Sequence, residues 1–130
     1  MTRHWTEAYI GRPYVDGGCW LLFREVQAGQ FGRSVDVPSI PDTPLRIMRA
    51  FESGSKSHRW VQVADRRDGD GILMSENEAP HHVGTYVAMP GGGRVLHSLK
   101  GQGSALHTFE HLKLVRFNIV GFYRPLEAQS

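Results

Sequence analysis

Apolar and polar positions follow two different periods along the chain, and the change between them divides the sequence into a helical part and a strand part. The clearest helical pattern covers residues 19–28, where apolar side chains recur at i, i+3, i+4 and i+7 and so share one helical face. These residues are Cys19, Leu22, Phe23 and Val26. Gly29 follows them as a stop signal, so we expect the helix to end there.

The remaining N-terminal sequence predicts one helix before the Cys19 helix, and a loop and another helix after it. Residues 2–10 form a short helix, and residues 29–41 form a loop because glycines and prolines interrupt them. Residues 42–54 predict a third helix, with Asp42 as the N-cap and Pro44 in the first turn.

After residue 58 the period changes to two, which predicts strands. The strand segments are RWVQVAD (59–65), GILM (71–74), HVGTYVA (82–88), RVLHSL (94–99) and KLVRFNIVGFYR (113–124). Asp70 is interpreted as a turn residue, MPGGG (89–93) as a hairpin turn, and GSALHTFEHL (103–112) as a turn or a helical stretch. Helices followed by antiparallel strands predict an α+β domain in which the Cys19 helix packs on the sheet.

Length and composition leave few alternatives to one globular domain over residues 1–130. The net charge is only +2 and the basic residues form no patch, so we expect no nucleic-acid partner. The N-terminus contains no apolar stretch long enough for a signal peptide, and no window approaches a membrane span, so we expect no membrane partner. The chain has one cysteine, which cannot form an internal disulfide.

Cys19 stands where the predicted helix begins, directly after Gly17 and Gly18. Free N–H groups and the helix dipole favour a thiolate at such a terminus, so we expect a depressed pKa for Cys19. The glycines leave room beside the sulfur. The alternative is that Cys19 is a small apolar residue of the core.

Two histidines on the predicted hairpin supply the groups that a cysteine nucleophile requires. His82 and Gly84 lie on the same face of one strand, so no side chain at Gly84 blocks the approach to His82. If the chain turns near Pro90, His82 lies opposite about residue 98, and His97 is close enough to reach it. A base oriented by a third group is the arrangement that activates a cysteine.

Four segments in this order resemble the NlpC-type cell-wall cysteine peptidases, which are papain-like. The matching segments are GRPYVDGGCWLL (11–22), DGDGILM (68–74), HVGTYV (82–87) and GGRVLHS (92–98). The beginning WTEAYIGRPYVDGG and the ending IVGFYRP are more particularly similar to the phage tail-assembly branch of that family, the lambda tail-tip type.

The resemblance implies a small papain-like α+β domain that needs no cofactor. It implies Cys19 as nucleophile, His82 as general base and His97 as the residue that orients His82, with Tyr14 and Gly18 as candidates for contacting the substrate or the oxyanion. The implied substrate is the peptidoglycan stem peptide, cut between D-glutamate and a diamino acid. Other tail proteins are implied as partners, and the protein would stay in the cytoplasm until a tail assembles or is released to act at the cell wall.

The sequence departs from the family pattern immediately before the cysteine. Family members carry several residues, ending in an acidic one, between the paired glycines and the cysteine, whereas Gly18 directly precedes Cys19 here. This shortens a loop that lines the substrate groove. The alternative function is therefore a structural tail-tip module without catalytic activity.

A zinc site is the third hypothesis. HTFEH (107–111) fits the H-x-x-E-H pattern, in which two histidines one helical turn apart bind zinc and need a further ligand. Asn118 and Glu127 are the downstream residues that could serve. Thiolate and imidazole also suit zinc, so a second possible ligand set is Cys19, His82 and His97.

Overall fold

The computed structural model describes residues 4–15, 18–34, 60–76 and 79–125. A 3-10 helix covers Trp5–Ala8, and the α-helices are α1 (Gly18–Phe31) and α2 (Phe109–Leu114). The strands are β1 (Trp60–Val63), β2 (Gly71–Glu76), β3 (Ala79–Val87), β4 (Arg94–Leu99), β5 (Gly103–Thr108) and β6 (Asn118–Pro125). The helix predicted over residues 42–54 lies outside the described residues.

The six strands form one antiparallel sheet in the order β1-β6-β2-β3-β4-β5. The last strand of the chain therefore lies between β1 and β2, while β2 to β5 follow one another in sequence order. The sheet and its helices confirm the predicted mixed α+β class. Among the described residues, no helix combines the length and the apolar character that a membrane crossing demands.

The two faces of the sheet carry different apolar clusters. On one face α1 packs through Phe23 and Val26 against Leu73, Val83, Val87 and Leu96. On the other face, residues from β2, β4 and β6 pack with α2 and the segment that follows it: Ile72, Met74, Val95, Leu112, Phe117 and Phe122. The predicted packing of the Cys19 helix on the sheet is thus confirmed.

Helix α1 continues two residues past the predicted stop at Gly29, so that prediction was wrong. A Cβ at Gly29 would lie 2.5 Å from the hydroxyl oxygen of Tyr9, so glycine serves a close contact inside the helix. The helix ends instead before Gly32, whose φ of +64° is the left-handed conformation common just after a helix.

The C-terminal part differs from the prediction at both of its elements. Residues 103–112, predicted as a turn or helical stretch, form β5 followed by the start of α2, and the strand predicted from residue 113 begins only at Asn118. Thr108 explains the boundary, because its hydroxyl accepts a hydrogen bond from the His111 N–H at 3.0 Å and caps α2. The helix ends at Leu114, and Arg116, two residues later, has a φ of +66°.

Asp70 is more than the turn residue that the sequence predicted. Its carboxylate accepts a hydrogen bond from the Arg67 N–H at 2.8 Å, as a turn residue would. It also accepts hydrogen bonds from Nε and Nη2 of Arg124 at 2.9 and 2.8 Å. Asp70 is 1% exposed and the Arg124 side chain 19% exposed, so this partly buried ion pair ties β6 to the turn before β2.

Candidate functional site

The hairpin of β3 and β4 carries His82 and His97, the two histidines that the sequence predicted for the site. Its turn is confirmed at MPGGG, where the Gly92 N–H donates to the Met89 carbonyl at 3.1 Å. Thr85 lies opposite Leu96, and continuing this register places His82 level with Leu99. The prediction of about residue 98 lies within one position of this extrapolated register, because the connection spans residues 88–93 and so turns near Pro90.

The rings of His82 and His97 nevertheless meet, as the sequence predicted. His97 lies diagonally across from His82, and Nε2 of His82 is 2.8 Å from Nδ1 of His97. Gly84 makes this possible, because a Cβ there would lie 3.3 Å from Cβ of His97 and 2.6 Å from Cγ1 of Val95. Both rings are buried, with exposed fractions of 5% for His82 and 0% for His97.

A third histidine, which the sequence analysis did not place in this site, extends the chain of rings. Nδ1 of His107 lies 2.9 Å from Nε2 of His97. His107 is on β5, opposite Val95, and so reaches His97 along the same kind of diagonal. GSALHT shows no clean two-residue alternation, and the zinc pattern of His107 with His111 favoured a helix, so the sequence did not predict this strand.

The histidine chain lies in an apolar environment on the α2 side of the sheet. The Phe117 ring stacks on His82 with centroids 4.3 Å apart, and the His111 ring lies 4.0 Å from His107. Burial, followed by the neighbouring His82, His107 and His111, lowers the pKa of His97 to about 2. Burial and His111 also lower the pKa of His107. Both rings are therefore neutral near pH 7.

Cys19 lies in the first turn of α1, with 8% of its surface exposed. The expectation of a depressed pKa is wrong, because burial raises the pKa of the thiol to about 11. Backbone hydrogen bonds from Val83, Trp20 and Cys19 itself act in the opposite direction, as expected at a helix N-terminus, but they are outweighed. The resting side chain is thus a neutral thiol.

The hydrogen bond from Val83 brings Cys19 to the strand that carries His82. Val83 and His82 point to opposite faces, so the thiol and the histidine chain approach β3 from different sides. In the part of the chain that the structure describes, the β3–β4 ladder pairs only Thr85–Val87 with Arg94–Leu96. The Tyr86 N–H donates to the Asp70 carbonyl, just before β2, and so points to the β2 side of β3. Successive N–H groups of a strand point to opposite sides, so the Val83 N–H, three residues earlier, points to the β4 side. Cys19 therefore meets β3 beyond the end of this ladder, at the level of the histidines.

Tyr14 and Gly18 lie together beside this helix start. A Cβ on Gly18 would be 3.4 Å from Cδ1 of Tyr14 and 3.4 Å from the Ser98 hydroxyl, which are ordinary contact distances, so Gly18 lies beside both side chains. The Gly18 N–H donates to the Val15 carbonyl at 2.7 Å. That donor is engaged in the turn before α1, which leaves the Cys19 N–H as the backbone donor to consider for an oxyanion.

Neither of the two zinc-ligand sets that the sequence suggested is brought together in the structure. His107 belongs to β5 and His111 to α2, so the two do not lie one turn apart on a helix. Asn118 begins β6, and Glu127 lies outside the described residues. Over the described ranges, no three or more histidine, cysteine or acidic side chains group closely enough to hold a metal ion, including Cys19 with His82 and His97.

Comparison with known proteins assigns the chain to no family. No protein-family model matches it, and no curated protein matches its sequence. A proposal about function therefore rests on the residue pattern and on the geometry around Cys19, His82 and His97.

Proposed function

We propose that the chain is an NlpC-type cysteine peptidase that cuts peptidoglycan stem peptides between D-glutamate and a diamino acid. One observation supports this most strongly: the Val83 backbone is hydrogen-bonded to Cys19 on the strand that carries His82, and Nε2 of His82 is 2.8 Å from Nδ1 of His97. A thiol at a helix start, a histidine and a residue that orients the histidine are the groups that this chemistry requires. The segments that resemble the family carry these same residues.

In the proposed reaction, Sγ of Cys19 forms a bond to the carbonyl carbon of the stem peptide while His82 takes the thiol proton. The carbon–nitrogen bond then breaks, and His82 passes the proton to the leaving amino group, which leaves a thioester on Cys19. A water molecule attacks the thioester as His82 removes its proton, and that proton returns to the sulfur. Because the bond to His97 occupies Nε2 of His82, the base is Nδ1.

The raised thiol pKa determines how this reaction would begin. With a pKa of about 11, Cys19 does not rest as a thiolate, so the proton leaves while the sulfur attacks. The Cys19 N–H, at the start of α1, would donate to the oxygen that becomes negative in the tetrahedral intermediate. Tyr14, packed beside Gly18, would line the groove next to this oxygen.

The proposed setting is a phage or prophage tail tip. The resemblance of the first and last segments to the tail-assembly branch supports this setting, with the stem peptide as substrate and other tail proteins as partners. The protein would remain in the cytoplasm until it is assembled or released, and would then act on the cell wall.

Digestion of purified peptidoglycan tests the proposal. We expect the parent protein to release peptides with new termini, detected by mass spectrometry, and Cys19→Ala to release none. Cys19→Ser is the matched variant, because it keeps the size of the side chain and removes the thiol. Equal release by the parent and Cys19→Ala, with both proteins folded, would exclude Cys19 as nucleophile.

The burial of Cys19 favours one second candidate, a structural tail-tip module with no turnover. A thiol that is 8% exposed and holds its proton to a pKa of about 11 is also what a core cysteine would show. This candidate predicts an inactive parent protein that co-purifies with tail proteins. It also predicts that Cys19→Ala leaves this association unchanged.

A further inference from the structure

The buried row of imidazoles does not stop at His97. His97 lies between two other rings, with Nδ1 at 2.8 Å from His82 and Nε2 at 2.9 Å from Nδ1 of His107. All three rings are buried, with exposed fractions of 5%, 0% and 7% for His82, His97 and His107. Each contact is short enough for a hydrogen bond, so each must hold one proton between two nitrogens.

A neutral imidazole carries one proton, which makes one nitrogen a donor and the other an acceptor. Because His97 uses both of its nitrogens, its tautomer sets the direction of both hydrogen bonds. If His97 carries its proton on Nε2, it donates to His107 and accepts from Nε2–H of His82. If it carries the proton on Nδ1, it donates to His82, and the proton of His82 then lies on Nδ1.

Only the first direction leaves His82 able to take a proton through Nδ1. In the second direction Nδ1 of His82 already carries a proton and cannot act as base toward a thiol. His97 is neutral because burial and its histidine neighbours lower its pKa. With only one proton on His97, the two hydrogen bonds must run in one direction or the other.

We propose that His107 is a positioning residue that selects the first direction by accepting the Nε2–H of His97. The inference rests on the proposed function, in which His82 is the general base. His107 is suited to this role because its Nδ1 faces His97 and its ring is held against the His111 ring, 4.0 Å away. It touches neither the thiol nor, in the proposed reaction, the substrate, and it acts through His97 and His82.

The test compares two substitutions at the same position. Glutamine offers a side-chain oxygen that can accept from His97, whereas leucine has a similar size and offers no acceptor. Nitrogen-15 NMR of the imidazoles, which distinguishes protonated from unprotonated nitrogens, reads the tautomers of the resting protein. We expect Nε2–H at His97 and His82 in the parent and in His107→Gln, and a shift toward Nδ1–H at both rings in His107→Leu.

Activity on a stem peptide supplies the second readout. We expect His107→Leu to lower kcat by about tenfold or more with little change in KM, as for residues that orient a ligand or base, and His107→Gln to restore it. A parent spectrum with Nδ1–H at His97 would overturn the proposal, and this holds even if His107→Leu does not fold. Unchanged tautomers in a folded His107→Leu would overturn it as well.

The two readouts separate this inference from the proposed function. The NMR measurement needs no turnover. An inactive parent protein with Nε2–H at His97 and His82 would reject the peptidase function, but it would still support the role of His107 in setting the two tautomers. An active parent whose tautomers and kcat do not respond to His107→Leu would reject the positioning role alone.

Discussion

Two influences act on Cys19 in opposite directions, and their balance decides its chemistry. Backbone hydrogen bonds at the start of α1 and from Val83 stabilise a thiolate, while burial disfavours it more strongly. From the sequence, the helix start was visible and the depth of burial was not, so the predicted sign of the pKa shift was wrong. A local motif can place a cysteine at a helix terminus, but desolvation depends on the whole fold.

The reactivity of Cys19 toward iodoacetamide follows from this raised pKa. We expect slow labelling at pH 7 and a rate that rises only as the pH approaches 11, since the thiolate is the reactive form. The unfolded protein is the control, and its thiol should label with the ordinary midpoint of about 8.5. Fast labelling of the folded protein near pH 7 would contradict this account of the thiol.

The buried His97 predicts a specific loss of stability in acid. Its pKa is lowered from 6.5 to about 2 in the folded protein, so between these values the unfolded chain binds a proton that the native protein does not. The stabilisation is complete above pH 6.5 and is lost as the pH falls. From pH 7 to pH 5 the contribution of His97 to the free energy of unfolding should fall by about 2 kcal/mol.

Urea unfolding of the parent and of His97→Asn at several pH values measures this contribution. The variant should show a shallower fall in stability between pH 7 and pH 5, because asparagine does not titrate. Parallel pH profiles for the two proteins would show that His97 takes up its proton equally in the folded and unfolded states.

Among the elements, the hairpin could be predicted from its sequence and β5 could not. Alternation in HVGTYV and RVLHS, with a glycine-rich turn between them, was enough to bring His82 and His97 together. In contrast, β5 is immediately followed by α2, so GSALHTFEHL mixes two periods and was interpreted as one stretch. The position of His107 depends on this boundary, which is why the third histidine was missed.

The close approach of β3 and β4 gives Gly84 a measurable role. Gly84→Ala should lower the free energy of unfolding by about 1–3 kcal/mol, because the new methyl would lie 2.6 Å from Cγ1 of Val95 and 3.1 Å from Cε of Met74. Chemical denaturation measures the loss. The same methyl would press on Cβ of His97, so the bond to His82 should be disturbed as well.

A double-mutant cycle with Val95→Ala is the matched control for Gly84→Ala. Removing Cγ1 of Val95 takes away the closest contact, so the double variant should be less destabilised than the sum of the two single variants. Strict additivity would mean that the methyl and Val95 do not collide.

Across the whole molecule, the order of strands depends on contacts that are distant in sequence. β6 lies between β1 and β2, and Arg124 on this strand reaches Asp70 in the turn before β2. The sequence shows both residues but gives no reason to pair them, because they are 54 positions apart. The α+β class followed from local periodicity, whereas the strand order and this ion pair required the folded chain.

Removal of the Asp70 carboxylate should be costly, because Arg124 would lose a buried partner. We expect Asp70→Ala to destabilise the protein by about 1.5–3 kcal/mol, because charged hydrogen bonds are lost while Arg124, with 19% of its side chain exposed, keeps access to water. Asp65→Ala is the control, since Asp65 also lies 3.5 Å from Arg124 but is 62% exposed, and its loss should cost at most about 1 kcal/mol. Similar melting temperatures for the two variants would contradict the importance of the buried pair.

The central claim is that Cys19 attacks the stem peptide with His82 as its base. Hydrolysis of a defined stem peptide containing a D-glutamyl–diamino acid bond, followed by mass spectrometry of the products, tests this claim most directly. We predict that the parent protein cleaves this bond, while folded Cys19→Ala and His82→Ala lose the activity. Cleavage at an unchanged rate by Cys19→Ala, or an intact peptide after prolonged incubation with the folded parent, would contradict the account.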